Sequence, residues 1–218
     1  MFSGSMVALV TPFRNDKVDW GCLDKLVDMH IQAGTDALVP CGTTGESPTL
    51  SYEEHEQVIE AVIKRAAGKA PVLAGTGSNS TAEAILLTRH ARDAGASGSL
   101  QVAPYYNKPT QEGLYLHFAR IAEACGDFPM VLYNIPGRCG VEISVATIAR
   151  LHKDYPSIVG VKHATGSIDG ASELLVACPD IEVYSGDDSM TFPLMALGGK
   201  GVISVIANII PKEVKAMT

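Results

Sequence analysis

The chain has 218 residues and carries 17 lysine and arginine residues against 24 aspartate and glutamate residues, a formal net charge of −7. This acidic balance argues against a protein that binds nucleic acid or an anionic membrane surface, because such proteins carry basic patches. Hydrophobic residues make up 46% of the chain and charged residues 19%, which excludes an intrinsically disordered protein and indicates one globular domain. The longest apolar run, 202–210, is far shorter than the roughly 18–20 residues that span a bilayer.

Eight short apolar runs recur along the chain. They do not alternate between apolar and polar residues, which is typical of strands that are covered on both faces in a parallel sheet. The runs are 6–10, 37–40, 72–75, 99–103, 130–133, 158–161, 181–184 and 201–205.

Amphipathic segments separate these runs and carry helix-capping signals. Ser51 and Glu54 form a capping-box pair, and Ser80 with Glu83 repeats it. Gly34 and Gly95 are expected to end the first and third helices, and Thr110 is expected to begin the fourth. Later helices are predicted over 145–153, 171–177 and 191–197.

The chain contains eight strand–helix units, and no region of different composition divides it. This pattern predicts a single (β/α)₈ TIM barrel over residues 1–218. A doubly wound open sheet is the rival fold, and it predicts a dinucleotide fingerprint after an early strand. The nearest match, Gly75–Ser80, lacks the third glycine. A typical barrel has roughly 250 residues, so we expect the chain to stop in the helix after strand eight, with the C-terminal helical region missing or truncated.

Barrel enzymes place their functional groups at the C-terminal ends of the strands. After strand two, Thr43 and Thr44 lie between glycines in a turn whose N–H groups suit a carboxylate or phosphate; the alternative is a purely structural turn. After strand four, Tyr105 and Tyr106 lie between prolines, in a projecting loop or an interface anchor.

Strands five and six end in groups that suit carbonyl chemistry. Tyr133 and Arg138 follow strand five, where the arginine is either a ligand for an anion or part of a surface salt bridge. Lys162 ends strand six; burial would lower its pKa and make it a nucleophile toward carbonyls, whereas a lysine that extends to the rim would have no such role.

A metal site or a hydrolase triad is poorly supported. Asp187 and Asp188 follow strand seven, but no histidine or glutamate completes a set of metal ligands at a suitable spacing. The cysteines are odd in number and lack CxxC spacing, which indicates reduced thiols and, with no leader-like segment before residue 6, a cytoplasmic protein. They are Cys22, Cys41, Cys125, Cys139 and Cys178.

The strand ends together make six ordered motifs. They are Gly42-Thr-Thr-Gly-Glu46, Pro104-Tyr-Tyr-Asn-Lys-Pro109, Tyr133-Asn-Ile-Pro-Gly-Arg138, Gly160-Val-Lys162, Ser185-Gly-Asp-Asp188 and Gly201-Val-Ile-Ser204. In this order they resemble the dihydrodipicolinate synthase family of pyruvate-dependent, Schiff-base class I aldolases. The resemblance implies pyruvate and aspartate-4-semialdehyde as substrates, 4-hydroxy-tetrahydrodipicolinate as product, and no cofactor or metal.

The resemblance also implies roles for individual residues. Lys162 would form the imine with pyruvate, Thr43 and Thr44 would hold the pyruvate carboxylate, and Arg138 would bind the carboxylate of the second substrate. Tyr133 would move protons through a relay of Thr43 and a neighbouring subunit's residue at the position of Tyr106. This relay implies a homodimer or homotetramer.

Gly186 and the main chain at Ile203 match positions that line the pyruvate pocket. A regulatory lysine site is implied at the dimer interface. Its polar positions match Ser47, His55, Asn79, Glu83 and Tyr105.

The sequence departs from the family pattern at His163, where a glutamate is usual, and over the segment 96–101, which is normally more apolar. Two other functions stay open on the sequence alone. One is a sister pyruvate aldolase such as N-acetylneuraminate lyase, and the other is a catalytically silent binding homologue or fragment.

Overall fold

The computed structural model describes residues 2–218 and contains eight parallel strands, each followed by a helix. The strands are β1 (Gly4–Ala8), β2 (Ala37–Val39), β3 (Leu73–Gly75), β4 (Gly98–Val102), β5 (Met130–Asn134), β6 (Ile158–His163), β7 (Glu182–Ser185) and β8 (Gly201–Ser204). The outer helices are α1 (Trp20–Ala33), α2 (Tyr52–Ala66), α3 (Thr81–Asp93), α4 (Gln111–Cys125), α5 (Val145–Asp154), α6 (Ile168–Ala177), α7 (Thr191–Ala196) and α8 (Pro211–Met217). A small hairpin, Phe13–Arg14 with Lys17–Val18, and a short helix, Pro136–Cys139, lie between these units.

The sheet closes into a barrel. Strand β1 pairs with β8 on one side and β2 on the other, so that Met6 is level with both Ile203 and Ala37. The last seam, between β2 and β3, is a parallel bridge of Leu38 to Val72. The (β/α)₈ barrel is therefore confirmed, and the open doubly wound sheet is wrong.

Apolar side chains fill the barrel and the space between the strands and the helices. Met6, Leu73, Val131 and Ile203 belong to the interior cluster, and all are fully buried. Two further clusters pack the helices against the outer face of the sheet. Both faces of each strand are thus covered, which explains the near-continuous apolar runs in the sequence.

The predicted caps are largely present. The Ser51–Glu54 capping box forms in both directions, and Gly34 ends α1 in the left-handed conformation. The Ser80 hydroxyl accepts from the N–H of Glu83, but the Ser80 N–H donates to the Ser78 hydroxyl, so that only half of the second box forms.

Two element boundaries differ from the sequence prediction. Strand β1 is shifted by two residues because the Val10 N–H donates to the Asn208 side chain and leaves the sheet. Helix α6 begins at Ile168, three residues before its predicted start, because the Ser167 hydroxyl caps it.

The unusual segment 96–101 contains a buried polar contact. The side-chain amide of Gln101 donates to the hydroxyls of Thr76 and Thr88, at 2.7 and 2.8 Å. Gln101 is fully buried, and these two bonds replace the water that its NH₂ group loses on folding, whereas its carbonyl oxygen Oε1 has no hydrogen-bond partner within residues 2–218. This network accounts for glutamine at a position that faces the helix layer.

Within residues 2–218, no helix combines the length and the apolar character needed to cross a membrane.

Candidate active site

Lys162 is the penultimate residue of β6, directly beside Tyr133 in the ladder between β5 and β6. Only 4% of the lysine is exposed, and its Nζ lies 4.2 Å from the centre of the Tyr133 ring. Burial lowers the pKa of Lys162 to about 8, against the opposing charges of Asp187 and Asp188. The strand pattern thus produces a desolvated amine whose neutral fraction near neutral pH is larger than that of an ordinary lysine.

Tyr133 contacts both the lysine and the turn after β2. Its side chain is buried, and burial raises the pKa of the phenol, while a hydrogen bond with the Thr43 side chain and the charge of Arg138 work in the opposite direction. The phenol therefore stays protonated near neutral pH and is connected to a second hydroxyl. This arrangement suits proton transfer through a relay.

The turn that carries Thr43 and Thr44 is held by its own backbone. The N–H groups of Gly45 and Ser47 donate to the Gly42 carbonyl at 3.1 and 3.3 Å. A side chain at Gly45 would come within 2.9 Å of the Leu9 carbonyl, so the close approach to β1 requires glycine. Thr43 is exposed and lines a cavity at the C-terminal ends of the strands, whereas Thr44 is half-buried and is not among the lining residues.

Thr43, Tyr133 and Arg138 line one cavity of about 280 Å³ at the C-terminal ends of the strands. Lys162 and Ile203 are not among the residues that line this cavity. The Lys162 amine contacts the ring of Tyr133, and Ile203 belongs to the interior cluster that also contains Tyr133. We call the buried groups, Lys162 and Tyr133, the floor of the site. We call the exposed groups that follow the strands, Thr43, Arg138 and Tyr106, its rim.

Gly186 has no side chain, and this leaves space for Lys162 in the floor of the site. A Cβ at this position would lie 2.5 Å from the Ala164 side chain and 3.2 Å from Cε of Lys162. The Gly186 N–H donates to the His163 carbonyl at 2.8 Å, which fixes the chain next to the lysine. Glycine therefore gives the Lys162 side chain room to extend.

Tyr106 does not join the other predicted residues within this chain. It is 91% exposed and has a left-handed backbone, with φ of 75°. A bulky residue at positive φ is uncommon and is found at functional sites where surrounding contacts compensate the cost. The Tyr106 phenol is exposed to solvent and does not line the cavity.

The predicted regulatory residues form two groups. The Asn79 amide donates to the Tyr105 carbonyl at 3.2 Å, and Glu83 accepts a hydrogen bond from Tyr52. Burial lowers the pKa of His55 to about 4, so this imidazole is neutral near neutral pH. Ser47 and Tyr105 line the cavity beside Thr43, whereas Asn79, Glu83 and His55 lie outside its lining.

The sequence interpretation missed two thiols of the site. Cys41 and Cys139 line the cavity, and burial raises the pKa of both, that of Cys139 to about 11. The thiols are therefore protonated and form part of the apolar wall. The sequence could have predicted both as residues of the site, because Cys41 directly precedes the Gly42–Glu46 motif and Cys139 directly follows Arg138.

The two aspartates after β7 have different surroundings. The Asp188 carboxylate accepts from the Ser204 hydroxyl at 2.5 Å and from the N–H groups of Val205 and Ile206. It ties the end of β7 to the end of β8.

Within residues 2–218, no three histidine, cysteine, aspartate or glutamate residues are grouped so that they could hold a metal ion.

The chain is similar to known proteins over its whole length. The family model described as the Dihydrodipicolinate synthetase family matches residues 1–218. The 4-hydroxy-tetrahydrodipicolinate synthase of Geotalea uraniireducens (strain Rf4) is 58% identical over 218 residues, which are 100% of this chain and 74% of the relative.

Two solved structures share the fold closely. The dihydrodipicolinate synthase of Aquifex aeolicus matches with a TM-score of 0.97 and 54% identity over 99% of this chain and 73% of that one. The chloride-inhibited dihydrodipicolinate synthase of Acinetobacter baumannii, solved in complex with pyruvate, matches with a TM-score of 0.96 and 52% identity, covering 99% of this chain and 74% of that one.

Proposed function

The chain belongs to the dihydrodipicolinate synthetase family, and from this premise we propose that Lys162 is the amine that carries its reaction. The enzymes of this family are lyases that condense pyruvate with L-aspartate-4-semialdehyde to give 4-hydroxy-tetrahydrodipicolinate, in the biosynthesis of diaminopimelate and lysine. The chain is an enzyme of this kind. The observation that carries the assignment of Lys162 is its buried amine beside the Tyr133 phenol.

The first step is the attack of the neutral Lys162 amine on the keto carbon of pyruvate. The amine has a pKa of about 8, so that about a tenth of it is neutral at pH 7, against less than a thousandth for an ordinary lysine. Water leaves as the carbinolamine becomes an imine. Thr43 and Thr44, with the N–H groups of their turn, hold the pyruvate carboxylate at the barrel mouth.

Tyr133 moves protons in the following steps. Removal of a proton from the pyruvate methyl group gives an enamine, with the imine as the electron sink. A phenol with a raised pKa is a weak base alone, so the hydrogen bond with Thr43 passes the proton on. We propose that a second copy of the chain completes the relay with its own Tyr106, which makes a homodimer the smallest active unit.

The enamine carbon then attacks the aldehyde of aspartate-4-semialdehyde and forms the new carbon–carbon bond. Arg138, exposed at the cavity wall, binds the carboxylate of this substrate with its planar guanidinium. The amino group of the adduct attacks the imine carbon, displaces the Lys162 amine and closes the ring. Lys162 returns to its starting state, so no cofactor is consumed.

Arg138 also separates this activity from that of N-acetylneuraminate lyase. A guanidinium at the cavity wall suits a short aldehyde that carries a carboxylate, whereas a sugar acceptor offers hydroxyl groups. We therefore expect turnover of pyruvate with aspartate semialdehyde and none with the sugar acceptor.

Borohydride trapping tests the proposal. Reduction in the presence of pyruvate should leave a stable adduct on the peptide that contains Lys162, detected by mass spectrometry. The exposed Lys153 offers a matched control, because Lys153→Arg should keep the adduct while Lys162→Arg should lose it. A folded protein without an adduct on Lys162 would favour a catalytically silent binding homologue.

A further inference from the structure

Asn134 lies between two residues with assigned roles and has none itself. It follows Tyr133 as the last residue of β5 and precedes the short helix Pro136–Cys139, which carries Arg138. Tyr133 belongs to the interior cluster, so Asn134, as the next residue of the strand, faces the helix layer. Only 2% of Asn134 is exposed. A polar side chain that is buried in this way needs hydrogen-bond partners, and these partners show what it holds in place.

The Asn134 amide closes the loop that carries Arg138. Its Nδ2 donates to the Ile143 carbonyl, and its Oδ1 accepts from the Ile143 N–H, both at 3.0 Å. These two bonds join the ends of the segment 135–142, which we call the Arg138 loop. One side chain thus satisfies both backbone groups of the residue at which the loop ends.

The main chain of Asn134 fixes this closure to the sheet. Asn134 is level with His163 in the ladder between β5 and β6, and its carbonyl accepts from the Ala164 N–H at 3.0 Å. The adjacent pair in the same ladder is Tyr133 with Lys162. The Arg138 loop is therefore closed directly against the strands that hold the floor of the site.

Arg138 has few other contacts that could fix its direction. Its N–H and that of Cys139 donate to the Ile135 carbonyl at 3.1 and 3.0 Å, which forms the short helix. Within residues 2–218, the Arg138 side chain makes no hydrogen bond or ion pair. A Cβ at Gly137 would meet no atom within 4 Å, so close packing does not hold the loop there. The position of the guanidinium consequently depends on how the loop is closed.

A second side chain supports the same loop from outside. The Gln111 Nε2 donates to the Glu142 carbonyl at 2.8 Å, and its Oε1 accepts from the Ser144 N–H at 3.0 Å. Gln111 is exposed, so water can replace its bonds, whereas water has no access to the bonds between Asn134 and Ile143. Asn134 is therefore the main closure of the loop.

We propose, resting on the function proposed above, that Asn134 is a positioning residue for Arg138. By closing the Arg138 loop against β5, it holds the guanidinium where the carboxylate of aspartate semialdehyde binds. A loop without this closure has to be ordered when the substrate binds, and the cost of ordering reduces the affinity. Asn134 thus serves the second substrate and has no part in the binding of pyruvate.

The test is a double-mutant cycle that measures KM for aspartate semialdehyde at saturating pyruvate. Arg138→Met should raise this KM about 10- to 100-fold, the range for a lost charged hydrogen bond. Asn134→Ala keeps the guanidinium but opens the loop, and should raise KM about 3- to 10-fold, the cost of ordering one long side chain. In the Arg138→Met background, Asn134→Ala should add at most about a twofold rise, because two changes that act through one group are not additive.

Asn208→Ala is the matched control for lost stability. Its side chain makes the same kind of reciprocal bonds: Oδ1 accepts from the Val10 N–H at 3.2 Å, and Nδ2 donates to the Ala8 carbonyl at 2.8 Å. These bonds hold the turn after β8 to the end of β1, away from the Arg138 loop. Asn208→Ala should unfold at lower urea concentration, as Asn134→Ala should, but it should keep KM for both substrates.

A milder variant covers the case in which Asn134→Ala is too unstable to assay, since it leaves two backbone groups of the buried Ile143 without partners. The hydroxyl of Asn134→Ser can bond to one of these groups. This variant should show a smaller rise in KM for aspartate semialdehyde and the same lack of additivity with Arg138→Met.

Two results would overturn the proposal. One is a rise in KM from Asn134→Ala that is as large in the Arg138→Met background as in the wild type, since Asn134 would then act independently of Arg138. The other is slower borohydride trapping of pyruvate on Lys162 in the Asn134→Ala protein, since Asn134 would then support the floor. Failure of the proposed function looks different: Arg138→Met alone would leave KM for aspartate semialdehyde unchanged, or the wild type would form no adduct on Lys162.

Discussion

The floor of the site and its rim are built in different ways. Lys162 and Tyr133 stand on neighbouring strands, opposite each other in the ladder, and at most 5% of either is exposed. Thr43 and Tyr106 lie in loops and Arg138 lies in the short helix Pro136–Cys139; all three are exposed, Tyr106 to 91%. The floor is therefore arranged by the folding of one chain, whereas the rim keeps its solvation until a substrate or a second copy covers it.

This difference has an energetic consequence. Desolvation of the amine lowers its pKa and makes it reactive, but it also opposes folding, because the protonated amine is poorly solvated in the barrel. Exposed rim groups impose no such cost. We expect substitutions in the floor to change chemistry and stability together, and substitutions in the rim to change activity alone.

The largest effect is expected for Tyr133→Phe. The ring that Lys162 contacts is kept, but the hydroxyl that bonds to Thr43 is lost, so kcat should fall about 10²- to 10⁴-fold in a steady-state assay. Trapping with pyruvate should still label Lys162, since the amine remains. Tyr184→Phe is the control: Tyr184 is level with Lys162 in the sheet, but its hydroxyl bonds to the Phe2 carbonyl and the Glu182 carboxylate at the N-terminal end of the strands. Equal losses of kcat in both variants would contradict the relay.

The next effect concerns stability and pH. Because the pKa of Lys162 is lowered in the folded state, the unfolded chain binds more protons between about pH 8 and 10.5, and stability rises with pH across that window. The penalty of about 3 kcal/mol is fully present at pH 7. Lys162→Met should therefore unfold at higher denaturant concentration at pH 7, and its advantage should shrink as the pH approaches 10.5.

Urea titrations at pH 7 and pH 10 measure this difference. Lys153→Met, at an exposed position, should show neither the gain nor its pH dependence. A gain for Lys162→Met that is equal at both pH values would mean that packing, and not desolvation of the charge, limits stability at the floor.

The sequence predicted the floor better than the details around it. A lysine at the end of an apolar strand indicates burial, and the order of the strands places it beside Tyr133. The pattern of apolar runs was therefore sufficient to predict that Lys162 and Tyr133 are neighbours. The two aspartates after β7 look alike in the sequence, and only the fold shows that Asp188 caps the turn after β8. Likewise, Cys41 and Cys139 meet at one cavity because β2 and β5 end at the same mouth, a contact between distant parts of the chain.

Two glycine-to-alanine substitutions compare the effect of one added methyl group in the floor, at Gly186, with its effect next to the rim, at Gly137. Gly186→Ala places Cβ 2.5 Å from Ala164 and 3.2 Å from Cε of Lys162, so it should displace the amine and lower kcat/KM roughly 10- to 100-fold. Gly137→Ala, next to Arg138, meets no atom within 4 Å and should leave activity nearly unchanged. If the two variants lost activity equally, close packing around Lys162 would not be what the floor requires.

The smallest effect is expected for Tyr106→Phe, because a rim hydroxyl can be replaced in part by water. Turnover should fall about tenfold, the lower end for a member of a proton relay, while KM for pyruvate stays nearly constant. Tyr115→Phe, on the outer helix α4, is the control and should keep full turnover. An unchanged rate for Tyr106→Phe would remove this residue from the relay.

Mixing the two impaired variants Tyr106→Phe and Tyr133→Phe decides whether Tyr106 acts in its own chain or in a second copy, when the activity of the mixture is compared with the mean of the two separate proteins. In a dimer of one Tyr106→Phe subunit and one Tyr133→Phe subunit, exchange of the tyrosine across the interface gives one site with both phenols and one site with neither. Random mixing should then restore about a quarter of the wild-type sites, since half of the dimers are mixed and each has one complete site. If Tyr106 served its own barrel, every site would lack one phenol and mixing would restore nothing. Because Tyr106 is 91% exposed and does not line the cavity of its own chain, we expect restoration, and with it a rim that only a second copy completes.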